Sequence, residues 1–252
     1  MITDAYDIHS APLITPRDCY GEQGRFCDVC VVTFSGEILA HALAAHPHET
    51  IAAIHTANGS QPIYALEIDG KKIGLYLSAI GSAMAANNVI EANWLTGATR
   101  FVMFGSAGSL DHKATAGKYV VPTFAWRDEG MSYHYAPASD AIPVPGWKTV
   151  AGLFEAWGVP FVKGGVWTTD AFFRETRGHL QRRRDAGCLA VEMELAGVQA
   201  VCDFHGWRLY DFLVTGDVLD LPEYDHSGLH AANHATDKWD LAVKIALQTE
   251  IA

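Results

Sequence analysis

Short apolar runs alternate along the chain with segments of helical periodicity, several of which are followed by glycine. The predicted strands cover residues 29–33, 63–68, 73–79, 100–104, 119–122, 161–167 and 208–214. The predicted helices cover residues 83–96, 148–157, 192–205 and about 236–249. Asp69-Gly70 between two of the apolar runs predicts a hairpin. This alternation favours an α/β fold, a mostly parallel or mixed sheet with helices on both sides. Ligands of such sheets bind beyond the carboxyl ends of strands.

The length of the chain suits a single domain. With 252 residues it can bury one core, and no repeat, low-complexity tract or linker divides it. We therefore expect one domain over residues 1–252. Hydrophobic residues make up 49% and charged residues 19%, which excludes a disordered chain. No apolar run approaches the roughly 18 residues of a membrane span, and the first residues lack the features of a signal peptide.

Charge and cysteine content limit the partners and the compartment. The formal net charge is -11, and a negative surface repels phosphate backbones, so we expect no nucleic-acid partner and no membrane partner. The five cysteines are odd in number and scattered, which argues against a disulfide framework. This cysteine usage indicates a reducing, cytoplasmic location.

Three segments that follow apolar runs carry candidate binding or catalytic residues. The first contains Ser106, Ala107 and Gly108 after the predicted strand 100–104. Small residues let a backbone approach a ligand closely, and free amides can bind an anion or a hydroxyl. The alternative is a tight turn with no further role.

The second segment is Glu192-Met193-Glu194, at the predicted start of a helix. A carboxylate is a natural bidentate acceptor for a pair of sugar hydroxyls. Two acids beside an apolar run have to face a polar cavity or water. The alternative is that both acids only complement the dipole of the helix that follows.

The third segment ends in Asp217, a single acid after the apolar run 208–214. A partly desolvated aspartate can hold a proton near neutral pH and act as a general acid. The alternative is a helix N-cap, which aspartate also favours.

Two further patterns have metal or redox spacing. Cys27 and Cys30 form a C-x-x-C motif, but no second cysteine pair accompanies it and Cys30 lies in a predicted buried strand. His226, His230 and His234 recur every four residues, which suits either a metal-binding helix face or a solvated surface. We predict the second reading for the histidines, with no metal and no cofactor.

Taken together, these segments resemble the purine nucleoside/uridine phosphorylase superfamily, which includes methylthioadenosine/S-adenosylhomocysteine nucleosidase and AMP nucleosidase. The Ala-Val-Glu-Met-Glu string after Gly-Ser-Ala-Gly, in this order along the chain, is the most specific part of the resemblance. The stretch after Arg127 looks more like the uridine phosphorylases. The matching segments are residues 79–81, 105–110, 117–122, 127–130, 169–172, 190–194 and 216–217.

The resemblance implies a fold and an assembly. We expect one α/β domain around a twisted mixed β-sheet that partly closes into a barrel and is flanked by helices. Family members form dimers, trimers or hexamers, often with a neighbouring subunit closing the site, and a homo-oligomer is therefore expected here. His9 is the residue that could reach a neighbour's 5′-hydroxyl.

The resemblance also implies roles for individual residues. Glu194 should accept hydrogen bonds from the ribose hydroxyls, Met193 should pack under the sugar, and Phe172 should stack on the base. Asp217 should protonate the leaving base. The remaining substrate-binding positions implied by the matching segments are Gly81, Ser106, Ala107, Gly108 and Glu192.

The sequence departs from the family where phosphate should bind. Glu37, Met103 and Gly59 stand where phosphorylases place arginines. Without these cations a dianion lacks its clamp, while Glu37 could activate a water or simply begin a helix. The family favours phosphorolysis of a nucleoside, with phosphate as co-substrate and release of the free base. The local residues favour hydrolysis, and a nucleoside-binding protein without turnover is the third alternative. Three other arginines could supply the missing charge: Arg127, Arg174 and Arg177.

Overall fold

The computed structural model describes residues 1–249, which form one α/β domain around a ten-stranded mixed sheet. In chain order the strands are β1 (Val29–Thr33), β2 (His48–Thr56), β3 (Gly59–Ile68), β4 (Lys71–Leu77), β5 (Arg100–Ser109), β6 (Tyr119–Asp128), β7 (Ala141–Pro143), β8 (Phe161–Thr169), β9 (Cys188–Glu192) and β10 (Arg208–Val218). Their spatial order is β10-β6-β8-β9-β5-β1-β4-β3-β2, with β7 paired to β6. An additional pairing of β10 with β5 closes the first five of these strands into a barrel, as the resemblance implied.

Helices pack on both sides of the sheet. In chain order they are α1 (Pro16–Tyr20), α2 (Gly36–Ala45), α3 (Ser82–Thr96), α4 (His112–Thr115), α5 (Ser132–Tyr135), α6 (Trp147–Trp157), α7 (Arg177–Asp185), α8 (Leu195–His205), α9 (Leu229–His234) and α10 (Asp237–Gln248). Side chains of α3 and α8 share one buried cluster with Phe101 and Met103, whereas α2, α6 and α10 share another with Val102 and Phe104. Alternate residues of β5 thus serve opposite cores, as the pleat of a strand requires. Within residues 1–249 no helix is long and apolar enough to span a bilayer.

Several element ends lie where the sequence placed them. β1 matches its predicted range, and Asp69-Gly70 links β3 to β4 as an antiparallel hairpin. Helix α3 ends at Gly97, whose φ of +84° is the left-handed conformation that glycine adopts most easily. α10 also lies in its predicted place, although the side chain of Thr236 makes no capping hydrogen bond.

Five strands run further than predicted, and in two of them, β5 and β10, this changes the setting of the candidate residues. β5 continues through the small residues as far as Ser109, and β10 continues through Asp217 to Val218. The two extensions pair with each other, Ser106 opposite Val214 and Gly108 opposite Asp217. The tight-turn alternative for residues 105–108 and the N-cap alternative for Asp217 are therefore wrong.

The region around Glu192 also differs from the prediction. Glu192 is the last residue of β9, a strand absent from the sequence prediction, and α8 begins only at Leu195. β2 was not predicted either, because its polar and half-exposed residues give little apolar signal. β9 places the Glu192-Met193-Glu194 turn at the same sheet end as the carboxyl ends of β5 and β10.

Candidate active site

A cavity of about 310 Å³ opens at the carboxyl ends of β1, β5, β9 and β10, where ligands of such sheets bind. It is lined by Thr33, Phe34, Ser35, Ile38, Ile80, Met103, Phe104, Gly105, Ser106, Ala107, Gly108, Phe172, Glu175, Val191, Glu192, Met193, Glu194, Asp211, Leu213, Asp217, Leu229, Asn233, His234 and Lys238. Eight of the eleven site residues inferred from the sequence are among them.

Glu194 is held at one wall of the cavity by backbone donors. Its Oε1 accepts a hydrogen bond from the Gly81 N–H at 2.6 Å, and its Oε2 accepts one from the Met193 N–H at 3.3 Å. Gly81 has a φ of +99°, so glycine suits this position, which begins α3. Burial raises the pKa of Glu194, and the two amide donors lower it. Gly81 does not line the cavity itself, but it fixes the carboxylate that does.

Glu192 lies behind Glu194 and is engaged by the protein. Its Oε1 accepts a hydrogen bond from the Thr168 hydroxyl at 2.5 Å, while Oε2 accepts from the N–H groups of Glu194 at 2.6 Å and Leu195 at 2.8 Å. This carboxylate therefore satisfies donors at the beginning of α8, as an acid at a helix N-terminus does. Burial is the main cause that raises its pKa, followed by repulsion from Glu194.

Asp217 occupies the far side of the cavity together with Glu175, which was not singled out from the sequence. The Tyr224 hydroxyl donates a hydrogen bond to Asp217 Oδ2 at 3.0 Å. Burial raises the pKa of Asp217, and burial together with the negative charge of Asp217 raises the pKa of Glu175 to about 7. Two neighbouring carboxyl groups whose pKa values are both raised favour a state that retains a proton near neutral pH. Phe172, 44% exposed, lies at the same side of the cavity.

The small residues of β5 form a wall on which α9 packs. The Ser106 hydroxyl donates to Oδ1 of Asn233 on α9, so this side chain does not point freely into the cavity. A Cβ at Gly108 would lie 2.5 Å from Leu219 and 3.0 Å from Val191, and 3.3 Å from Asp217 Oδ2. A Cβ at this position beside the candidate acid would therefore require the side chains of Leu219 and Val191 to shift. Ala107 is buried in the same wall.

Two charged side chains at the floor of the cavity were also missed by the sequence analysis. Asp211 is 1% exposed, and neither of its carboxylate oxygens has a hydrogen-bond partner among the described residues. Burial, with the charges of Glu192 and Glu194, raises its pKa well above the ordinary value. Lys238 donates to the carbonyl oxygen of Ala232, and burial lowers its pKa to about 8. Within their apolar strand and helix, neither residue follows a recognisable motif.

Three of the sequence candidates do not line the cavity. Gly81 acts through Glu194, and His9 lies in the exposed N-terminal segment. Glu37 begins α2 with its side chain 62% exposed, and its Oε1 lies 3.8 Å from Nδ1 of His234. His234 itself faces the cavity and its Nδ1 lies 2.8 Å from Ser35 Oγ. The alternative that Glu37 stands at the start of a helix is thus confirmed for its position in the fold.

The cations proposed as substitutes for the phosphate clamp lie elsewhere. Arg127 donates to Ser132, Ser139 and two carbonyl oxygens, and its guanidinium stacks on the ring of Tyr133. Arg177 donates to the carbonyl oxygens of Leu221 and Pro222, and Arg174 is exposed outside the cavity. Over residues 1–249, no arginine lines the cavity, and Met103 occupies the wall as a buried apolar side chain.

The cavity wall therefore has an acidic lining. Five acidic residues line it, one of which, Glu192, has both oxygens bonded within the protein, and Lys238 and His234 are the basic side chains among the described lining residues. The five acids are Glu175, Glu192, Glu194, Asp211 and Asp217. A site of this composition suits a neutral or positively charged ligand better than an anion, because like charges repel strongly where solvent is scarce.

Comparison with known proteins gives a consistent result. The model of a family described as the Phosphorylase superfamily matches residues 28–246. A purine nucleoside phosphorylase of the DeoD type from an Exiguobacterium species is 24% identical over 185 residues, 72% of this chain and 76% of that protein. A guanosine phosphorylase from Halorubrum lacusprofundi is 29% identical over 215 residues, 82% of this chain and 78% of that protein.

Solved structures share the fold. The crystal structure of 5′-methylthioadenosine/S-adenosyl homocysteine nucleosidase from Campylobacter jejuni superposes with a TM-score of 0.70 at 16% identity. The alignment covers 87% of this chain and 98% of that one. At this identity the likeness concerns the architecture of the sheet and its helices.

Proposed function

Since the chain belongs to the Phosphorylase superfamily and is an enzyme that cleaves the N-glycosidic bond of a nucleoside, we propose that its nucleophile is water and its products are the free base and the free sugar. One observation carries this choice over phosphorolysis. The cavity presents five carboxyl groups and no arginine over residues 1–249.

A phosphate dianion is poorly accommodated in such a cavity. Taking an unpaired ion out of water costs several kcal/mol, and each lining carboxyl group that is ionised adds repulsion to that cost. Lys238 is the main cation available, and it already donates to a backbone carbonyl. Water carries no such penalty. Phosphorolysis, which the family as a whole favours, needs cations that a neighbouring subunit would have to contribute.

Glu194 is the residue that we assign to the sugar. Its carboxylate is fixed by Gly81 and Met193 and lines the cavity, so it can accept both ribose hydroxyls without rearranging. Its negative charge also stabilises the positive charge that develops on the sugar as the C1′–N bond breaks. Glu192 is a positioning residue, because its hydrogen bonds hold the turn that carries Glu194.

Asp217 is the residue that we assign to the leaving base, together with Glu175. Negative charge develops on the base as the bond breaks, and a proton donated to a ring nitrogen neutralises it. The raised pKa values of both carboxyl groups favour a proton that is still present near neutral pH. Phe172 lies on the same side, where its ring can stack on the base.

The water is expected on the side of the cavity formed by Ser35, Asn233 and His234. Their hydroxyl, amide and imidazole groups line the cavity at the N-cap of α2 and along α9. Glu37 lies outside the lining, so we assign it the role of positioning His234 rather than that of direct base. Glu37→Gln should therefore slow hydrolysis by altering His234.

The relatives suggest the substrate class. The two similar proteins are named as purine nucleoside and guanosine phosphorylases, and we propose a purine nucleoside here. Thr176 and Gly178 stand where uridine phosphorylases place the glutamine and arginine that bind pyrimidines, which disfavours a uridine substrate. We further propose a role in nucleoside salvage in the cytoplasm, a homo-oligomer, and residues 1–252 as one folding unit.

The test is to identify the sugar released from inosine, guanosine and adenosine by chromatography, with and without phosphate. Chloride at equal ionic strength serves as the control. We expect free ribose without phosphate, and less than about a tenfold acceleration by phosphate, the effect of roughly 1.4 kcal/mol. Strict dependence on phosphate with ribose 1-phosphate as the product would overturn hydrolysis. Binding of all three nucleosides without base release would favour the non-catalytic alternative.

A further inference from the structure

Two histidines and a glutamate from separate helices meet beside the cavity. Glu37 belongs to the first turn of α2, whereas His230 and His234 are one turn apart on α9. One ligand atom from each of the three lies within 4.8 Å of the other two. The rings of the two histidines are 4.8 Å apart between centroids. Glu37 is more than 190 residues away in sequence from both histidines, so the fold creates the cluster.

We propose that Glu37, His230 and His234 bind a divalent transition-metal ion, with zinc as the representative metal. Two imidazoles and one carboxylate are a ligand set that suits zinc and related ions, whereas magnesium and calcium prefer oxygen ligands alone. Three protein ligands leave further coordination positions for water. Small rotations of two exposed side chains, Glu37 and His230, would bring the ligand atoms from 4.8 Å to the shorter separations around a bound ion.

Ser35 supports this arrangement from outside the cluster. Its hydroxyl lies 2.8 Å from Nδ1 of His234 and also accepts a hydrogen bond from the Ile38 N–H. This contact fixes the orientation of the His234 ring beside Glu37, whose Oε1 lies 3.8 Å from the same Nδ1, and such partners commonly orient the histidine ligands of metals. Ser35 therefore ties His234 to the same helix that carries Glu37.

The charge around the cluster also favours a cation. The cavity that His234 lines also has five acidic residues in its lining. An acidic surrounding raises the local concentration of cations and lowers the cost of binding one.

His226 is separated from the cluster, although the four-residue spacing of the sequence includes it. Its ring stacks on Tyr224 with centroids 5.6 Å apart. The histidine stripe read from the sequence is therefore not the site; the third ligand comes from α2 instead. This inference replaces the sequence-based expectation of no metal and does not depend on whether water or phosphate is the nucleophile.

The experiment is isothermal titration of the metal-stripped protein with zinc chloride. Because Cys19 is an exposed thiol that can itself bind zinc, all variants carry Cys19→Ser. We expect one equivalent of zinc to bind, and His230→Ala, His234→Ala and Glu37→Gln each to weaken binding at least tenfold. His226→Ala should bind zinc as the parent does, and magnesium should not bind measurably.

Circular dichroism of each variant checks that the fold is retained, since His230 and Glu37 are exposed and their replacement leaves no cavity in the core. Absence of zinc binding by the parent protein would overturn the proposal. So would an equal loss in His226→Ala, or unchanged affinity in His230→Ala. The binding curve is independent of the sugar assay, so failure of this proposal and failure of the hydrolysis proposal are distinguished.

Discussion

Asp217 and Glu175 place two carboxyl groups at the base side of the cavity, and their mutual repulsion matters for catalysis. Burial is the main cause that raises both pKa values. The negative charge of Asp217 raises the pKa of Glu175 further, to about 7. The pair thus retains a proton at a pH where isolated carboxyl groups have lost theirs. A proton donor of this pKa matches the requirement of general acid catalysis near neutral pH.

From this pair we predict that the rate falls as the pH rises above about 7, because the protonated form is the active one. Asp217→Asn should lower kcat by about a hundredfold or more, the usual contribution of a general acid. Glu175→Gln removes a neighbouring negative charge and should shift the alkaline limb of the pH–rate profile to lower pH. Asp185→Asn, a change at an exposed residue of α7 outside the cavity lining, should leave the profile unchanged. A profile that is flat from pH 6 to 9 would exclude the pair as the acid.

Glu194 yields a prediction about the sugar. A charge-assisted hydrogen bond contributes roughly 1.5–3 kcal/mol, so Glu194→Gln should lower kcat/KM for a ribonucleoside by about ten- to a hundredfold. The 2′-deoxy counterpart should already be a poor substrate and lose less on mutation. Glu155→Gln on the exposed face of α6 is the control. Equal losses for the ribo- and deoxyribonucleoside would contradict contact with the 2′-hydroxyl.

Asp211 yields a prediction about stability. Its pKa is raised by burial, so folding favours the protonated form, and stability declines as the pH rises from the unfolded pKa toward the raised folded value. Asp211→Asn removes the ionisable group at nearly constant shape. The Tm of the variant should exceed that of the wild type at pH 8. The difference should vanish near pH 4, where residue 211 is uncharged in both folded proteins. Asp140→Asn, at an exposed site, should show no such trend in a thermal melt.

At the scale of elements, strand length was the feature least predictable from the sequence. Glycine, serine and alanine at residues 105–109 give no β-propensity, so a turn was the natural prediction. Pairing between β5 and β10, about a hundred residues apart, extends both strands across these small residues. By contrast, the end of α3 was predictable, because Gly97 is a local signal.

The sites differ in the same way. Glu194, Met193 and Asp217 could be predicted because each stands in a segment that resembles the family. Glu175, Asp211 and Lys238 could not, because only the closure of the barrel and the packing of α10 bring them to one cavity. Glu37, His230 and His234 were each noted in the sequence, but their proximity was not predicted, since no local pattern links α2 to α9.

The packing of α9 on β10 depends on one glycine. A Cβ at Gly216 would lie 2.5 Å from the Ala232 Cβ and 3.0 Å from the Leu229 Cα. The Leu229 Cα is a backbone atom, so it can move away only if α9 moves with it. Gly216→Ala should therefore displace α9, lowering stability by about 1–3 kcal/mol and activity together. Gly152→Ala, on the exposed face of α6, where a Cβ would meet nothing within 4 Å, is the control. Equal Tm and activity for the two variants would show that α9 adapts freely.

At the scale of the whole molecule, large apolar side chains remain exposed in two places. One is the N-terminal segment, where Leu13 is 99% exposed and Ile14 is 74% exposed. The other is the region of the cavity mouth, where Ile80 and Phe173 are exposed at 66% and 93%. Exposed apolar patches of this kind mark interaction surfaces. His9 lies in the first region and does not line the cavity of its own chain.

We therefore predict that the protein is a homo-oligomer in which the N-terminal segment of one copy covers the cavity mouth of another. Light scattering should give a mass that is a multiple of 27.4 kDa. Leu13→Asp puts a charge into the contact and should lower both the mass and the apparent affinity for nucleoside. His9→Ala should raise KM without changing the mass, because it removes a polar contact and little apolar area. A monomer with full activity, or a Leu13→Asp variant of unchanged mass and KM, would show that each cavity functions without a neighbour.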